Sequence, residues 1–303
     1  MWGILRARDE RIRTVWRLLV FVVGLVALAV GMSYGFGWVL RALGMSPPRQ
    51  LLSWKVVTYY AVLSATWFVW VGLCRRFMDH RTVASLGLSV SGQEALAAAG
   101  GGLLGGGLVF VGVGILFICG GYEYAGIGRF PAPLAPAATF VFAAFAEEIT
   151  CRGYMLQNLR DIGRPVLGVL LSSAVFSIFH TINPAMWSSF LPPLNLFLTG
   201  ILLALAYIAS GNIWFPTALH YGWNLVEGPV LGTRVSGIAM EGWLNFDVVS
   251  TAPGWLTGGG FGLEGSVVAT GVQCTAICGF LFVLWRSSSE GPPGQTCDEA
   301  PQA

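Results

Sequence analysis

From Pro165 to Val226 the chain carries no Asp, Glu, Lys or Arg, a run of 62 residues. A helix crosses the hydrocarbon core of a bilayer with about 20 apolar residues. The run therefore holds three membrane helices joined by short turns, and the turns are visible as "TINPAMWSSFLPP" and "SGNIWFP". The rest of the chain agrees. Charged residues make up 11% of it, against about 25% in an ordinary soluble domain. The mean hydropathy is +0.68. A soluble single-core domain is excluded, and the net charge of +2 is too small to argue for a nucleic-acid partner.

Five further uncharged or nearly uncharged runs predict spans at 18–40, at 56–74, at 95–122, from about Pro136, and at about 265–285. The third is rich in glycine ("AAAGGGLLGGGLVFVGVG"), a composition that lets helices approach closely. The expected fold is an all-α polytopic transmembrane helical bundle of about eight spans. Residues 1–17 read as a cytoplasmic lead without a cleavable signal, 18–286 as the membrane-embedded domain and 287–303 as a disordered tail. Cytoplasmic loops collect Arg and Lys. With the N-terminus inside, the inner side holds Arg6, Arg8, Arg11, Arg13, Arg17, Arg75, Arg76, Arg81, Arg160, Arg164 and Arg286. The outer side holds Arg41, Arg49, Lys55, Arg129 and Arg234. Both termini are expected in the cytoplasm, with a bacterial plasma membrane as the setting. The six cysteines read as small apolar packers, without a disulfide framework or a thiolate metal site. The connection over 232–262 fits either a surface loop with interfacial tryptophans or a lid that contacts substrate.

Chemistry enters at "FAAFAEEITCR". A charge at a helix centre costs roughly 2.5–3.5 kcal/mol on insertion scales, so Glu147, Glu148 and Arg152 need partners. Glu148 and Arg152 are four apart and can pair on one helix face. Glu147 points about 100° away around the helix and has no local cation. A division of labour follows: Arg152 holds Glu148 charged, and Glu147 is free to take or release a proton, as a general base must. Two of the three histidines lie inside the uncharged run. His180 ends "FSIFH", one turn after Phe176, and His220 opens "HYGWN", one turn before Asn224. His80 sits in a basic polar loop and reads as a solvated residue. A glutamate pair, two histidines and an asparagine on three predicted helices supply a base, a second proton handler and donors for an oxyanion.

Together, "EEITCR" as EExxxR, "FSIFH" as FxxxH and "HYGWN" as HxxxN resemble the CPBP family of intramembrane proteases. That family includes type II CAAX prenyl endopeptidases and bacterial bacteriocin-processing or immunity (Abi) proteins. The likeness covers residues 130–230 and extends to Asn195 and Pro216. It implies an endopeptidase in which Glu147 activates water with help from His180. It further implies that Glu148 and Arg152 support the site, and that His220 and Asn224 donate to the tetrahedral oxyanion. It also implies a peptide or protein substrate, in some members lipidated, a membrane-lipid environment, and a cavity opening to the cytoplasm.

One Glu and two His could instead form a three-ligand zinc site from Glu147, His180 and His220. HExxH is absent and asparagine is a poor ligand, so a metal-free glutamate mechanism without a cofactor is preferred. Two other functions compete. A scaffold or immunity factor would use the polar cluster for packing alone. A proton-coupled transporter would use Glu and His as a relay, but the halves show no matched repeat.

Overall fold

The computed structural model describes residues 14–45 and 53–289. Residues 1–13 and 290–303, most of the expected lead and most of the expected tail, and Arg49 of the expected outer side lie outside the described residues. Helix α1 (Thr14–Ala42) and α2 (Trp54–Leu73) form the first hairpin. A π-helical turn, Cys74–Met78, ends α2. Helix α3 (Gly92–Ile118) starts at Ser91, whose hydroxyl accepts from the Gln93 N–H. Strand β1 (Tyr122–Ile127) follows, and then α4 (Leu134–Arg160). Proline at its start opens α5 (Pro165–Phe179), where its missing N–H costs nothing. Helix α6 (Leu191–Ser210) stops at Gly211, whose φ of 67° suits glycine. Helix α7 (Trp214–Leu225), strand β2 (Leu244–Val248) and α8 (Val267–Ser289) complete the chain. The helices of the membrane domain thus begin and end a few residues outside the predicted limits of 18 and 286.

Six of these helices are long and apolar enough to cross a membrane, the mark of a multi-pass integral membrane protein. The remaining two of the eight expected spans are shorter: α5 has 15 residues and α7 has 12. At about 1.5 Å per residue, 15 residues reach ~22 Å, short of the ~30 Å hydrocarbon core. His180 caps the C-terminus of α5, and His220 lies on α7.

The glycines of α3 let it approach α7 at backbone distance. A methyl group on Gly105 would overlap the backbone carbonyl of Leu219, and one on Gly222 would overlap that of Gly102. Close backbone approach of this kind supplies the van der Waals contact that drives helix association in lipid. Among the described residues the five cysteines Cys74, Cys119, Cys151, Cys274 and Cys278 are free thiols.

The two ends of the bundle differ in chemistry. At the end where α1 begins, Asp79 is fully buried and accepts from four side chains. Arg17 reaches it at 2.8 Å, Arg75 at 3.1 Å, the Tyr154 hydroxyl at 3.2 Å and the Asn158 amide at 2.9 Å. Arg75 also pairs with Asp161 at 2.9 Å. This network ties α1, α2 and α4 together. At the opposite end β1 and β2 pair antiparallel, from Tyr122 opposite Val248 to Ile127 opposite Leu244. The buried Tyr122 hydroxyl donates to the Thr257 carbonyl at 3.1 Å, and burial pushes its pKa upward. The connection between α7 and α8 is thereby fastened to the end of α3.

Candidate active site within the membrane

Helix α4 changes its winding at the motif. Its α-helical part ends at Glu148, and Ile149–Leu156 is π-helical. Such π segments insert extra width into a helix and recur at functional sites. Glu148 and Arg152 still meet across the change, at 2.9 Å, both fully buried. The second Arg152 amino group donates to the Gly200 carbonyl on α6 at 2.9 Å, and the guanidinium lies 4.7 Å from the centre of the Phe176 ring on α5. One arginine therefore binds three helices together.

Glu148 Oε1 has a second partner, His220 Nδ1 at 3.0 Å. A carboxylate oxygen accepts, so Nδ1 carries the hydrogen and the remaining ring nitrogen of His220 is left for the cavity. His180 is oriented in the same way. Its Nδ1 lies 2.9 Å from the Phe176 carbonyl, which can only accept, so its Nε2 is the free nitrogen. That Nε2 faces Glu147 Oε2 at 3.9 Å. The separation exceeds a direct hydrogen bond and suits a bridging water. Glu147 Oε2 has no hydrogen-bond partner among the described residues.

Glu147, His180, His220 and Asn224 all line one cavity of ≈ 190 Å³, with apolar walls that include Phe179, Leu196 and Leu203. Glu148 and Arg152 sit behind it. Asn224 is 8% exposed, and its amide makes no hydrogen bond among the described residues. The six side chains singled out in the sequence thus fall into a front rank on the cavity and a supporting pair.

Other members of the site were not singled out. Trp223 lines the cavity, and its indole N–H is held by the fully buried Glu227 at 2.9 Å. Ser236 and Glu264 also line it. Both come from the long connection between α7 and α8, which is part of the cavity wall. A signal for Glu264 existed: a lone acid in "GGGFGLEGSVVATG", just ahead of an apolar span. The mouth includes Ile182, 91% exposed, in the link after α5. That link lies at the end of the bundle opposite the Asp79 network, because α5 starts beside Asp161 and runs away from it. Cytoplasmic termini and a cavity opening to the cytoplasm therefore do not go together in this fold.

A zinc site needs three or four ligands that converge on one point. Among the described residues no group of three or more His, Cys, Asp or Glu is arranged to hold a metal ion.

Residues 129–226 match the family model described as Type II CAAX prenyl endopeptidase Rce1-like. The motif-bearing third of the chain is CPBP-like. The match brackets the glutamate pair, both histidines and Asn224, and it supports a protease-like function acting on peptides or proteins. Ser236, Glu264 and α8 lie outside it. No curated protein and no solved structure matches the chain.

Proposed function

We propose that the protein is an intramembrane endopeptidase that hydrolyses a peptide bond with a water activated by Glu147. One observation carries the reading: Glu147, His180, His220 and Asn224, from three separate helices, converge on a single enclosed cavity while Glu148 and Arg152 neutralise each other behind it. A water between Glu147 and the Nε2 of His180 has an acceptor on either side. Glu147 takes its proton as it attacks the scissile carbonyl, and His180 helps to deliver that proton to the leaving amine.

The oxyanion that forms needs donors at hydrogen-bond distance. The Asn224 amide supplies one as it stands. His220 supplies another from Nε2 only as the imidazolium, because its Nδ1 hydrogen is already committed to Glu148. Glu148 stabilises that cation, and Arg152 keeps Glu148 itself compatible with a buried site. Burial of the reaction in a small apolar cavity strengthens each of these interactions. No metal and no cofactor takes part in this scheme.

The test is comparative proteomics of cells that express the wild-type protein or Glu147→Gln. Fragments that vanish in the variant, while the protein still inserts and accumulates, support the peptidase. Unchanged fragments in both Glu147→Gln and His180→Ala would sink it.

A further inference from the structure

The cavity has a polar wall that belongs neither to the three motifs nor to the matched segment. Glu264 is 4% exposed and stands just ahead of α8. Its Oε2 accepts from the Ser236 backbone N–H at 2.7 Å and from the Ser236 hydroxyl at 2.6 Å. Both of these hydrogen bonds fall on Oε2, and the residue lines the cavity. The same lining includes the buried Asn224.

The charge of the lining is one-sided. Among the described residues it includes two carboxylates, Glu147 and Glu264, and no Lys or Arg. Arg152 is spent on Glu148 and the Gly200 carbonyl. A ligand carboxylate on the Glu264 side of this cavity would face a like charge in a low-dielectric space, with no Lys or Arg on the lining to meet it. A ligand cation would meet a carboxylate already oriented by two hydrogen bonds.

We propose that Ser236 and Glu264 form a substrate-binding subsite that takes a cationic side chain next to the scissile bond and rejects an acidic one. The inference rests on the peptidase reading for the words "scissile bond", but binding itself tests the subsite. Full-length Glu147→Gln protein in lipid nanodiscs is titrated with short fluorescent leucine–alanine peptides that differ in one central residue, Lys, Gln or Glu. This background cuts no peptide by the proposed route and leaves Glu264 as the one carboxylate on the cavity among the described residues.

The expected order of affinity is Lys, Gln, Glu, with about tenfold between the first and the last, as for a buried charge contact of modest strength. Glu264→Gln added to that background brings the three peptides within about twofold of one another. Ser236→Ala, which keeps the carboxylate, retains the order. Equal affinities with Glu264 present, failure of all three peptides to bind, or a lysine preference that survives Glu264→Gln would each overturn the subsite. A protein that binds with this order but never hydrolyses peptide would overturn the peptidase and leave the subsite standing.

Discussion

Replacing Arg152 by methionine and Glu147 by glutamine should damage the protein in opposite ways. Arg152→Met removes the 2.9 Å pair with Glu148, the 2.9 Å bond to the Gly200 carbonyl and the stacking on Phe176 at 4.7 Å. Glu148 is then a buried carboxylate with His220 as its one remaining partner. Removing one member of a buried pair costs about 3–5 kcal/mol, a large share of the roughly 5–15 kcal/mol that holds a typical domain folded. Glu147→Gln keeps the shape of a side chain that is 19% exposed and makes its closest charged approach at 3.9 Å. Its effect on stability should stay within about 0.5 kcal/mol, while loss of a general base lowers turnover by about 10²–10⁴-fold. Unfolding by SDS titration in mixed micelles, followed by tryptophan fluorescence, reads the first quantity, and peptide cleavage reads the second. If Glu147→Gln destabilised the fold as much as Arg152→Met, or cleaved at the wild-type rate, the division of labour would be refuted and the packing-only scaffold would gain.

Three further outcomes are expected. Gly105→Leu pushes a side chain into the α7 backbone, and at about 1–3 kcal/mol or more for overpacking it should lower the SDS midpoint, whereas Gly107→Leu, where a Cβ meets nothing within 4 Å, should not. Asp79→Asn leaves Arg17 and Arg75 without their shared carboxylate, so the SDS midpoint should fall by an amount equivalent to about 3–5 kcal/mol, while kcat per folded molecule stays unchanged. Dialysis against a strong zinc chelator should leave cleavage intact, and activity lost to the chelator and restored by zinc would overturn the metal-free scheme.

The helical class and the site were legible in the sequence for different reasons. Spans follow from charge-free length, which needs no tertiary information, and the turns at "TINPAMWSSFLPP" and "SGNIWFP" mark the breaks between helices, although their last three residues, Leu191–Pro193 and Trp214–Pro216, are already helical. The front rank was legible because Glu147, His180, His220 and Asn224 are polar groups where lipid tolerates few. What stayed hidden depends on contacts across many residues. Asp79 looks like an ordinary loop acid in "CRRFMDHRT", and only the fold brings Arg17, Tyr154 and Asn158 to it. The identity of the atom that His180 grips, a backbone carbonyl and not the Phe176 ring, is equally invisible in a motif. The long connection remained open between surface and cavity because its glycines and tryptophans suit either, until the pairing of β1 with β2 and the seat of Leu263 against Gly112 fold it inward.

Orientation is the point on which two sequence expectations collide. The end that carries Arg17, Arg75, Arg76, Arg81, Arg160 and Arg164 is the basic end, and basic ends stay in the cytoplasm. The cavity mouth, with Ile182 on its lip, lies at the other end. Of the two, the arginine distribution is the physical constraint that acts when the chain inserts, whereas the cytoplasmic opening came by resemblance alone. The mouth should therefore face away from the cytoplasm. In a variant with its native cysteines replaced, a cysteine at position 182 should react with a membrane-impermeant maleimide in intact cells, and one at Arg76 only after permeabilisation. The opposite pattern would return the mouth to the cytoplasm and make cytoplasmic protein tails accessible again. With the expected pattern, only a bond that enters from the outer half of the membrane can reach Glu147, which removes cytoplasmic prenylated tails from the possible substrates.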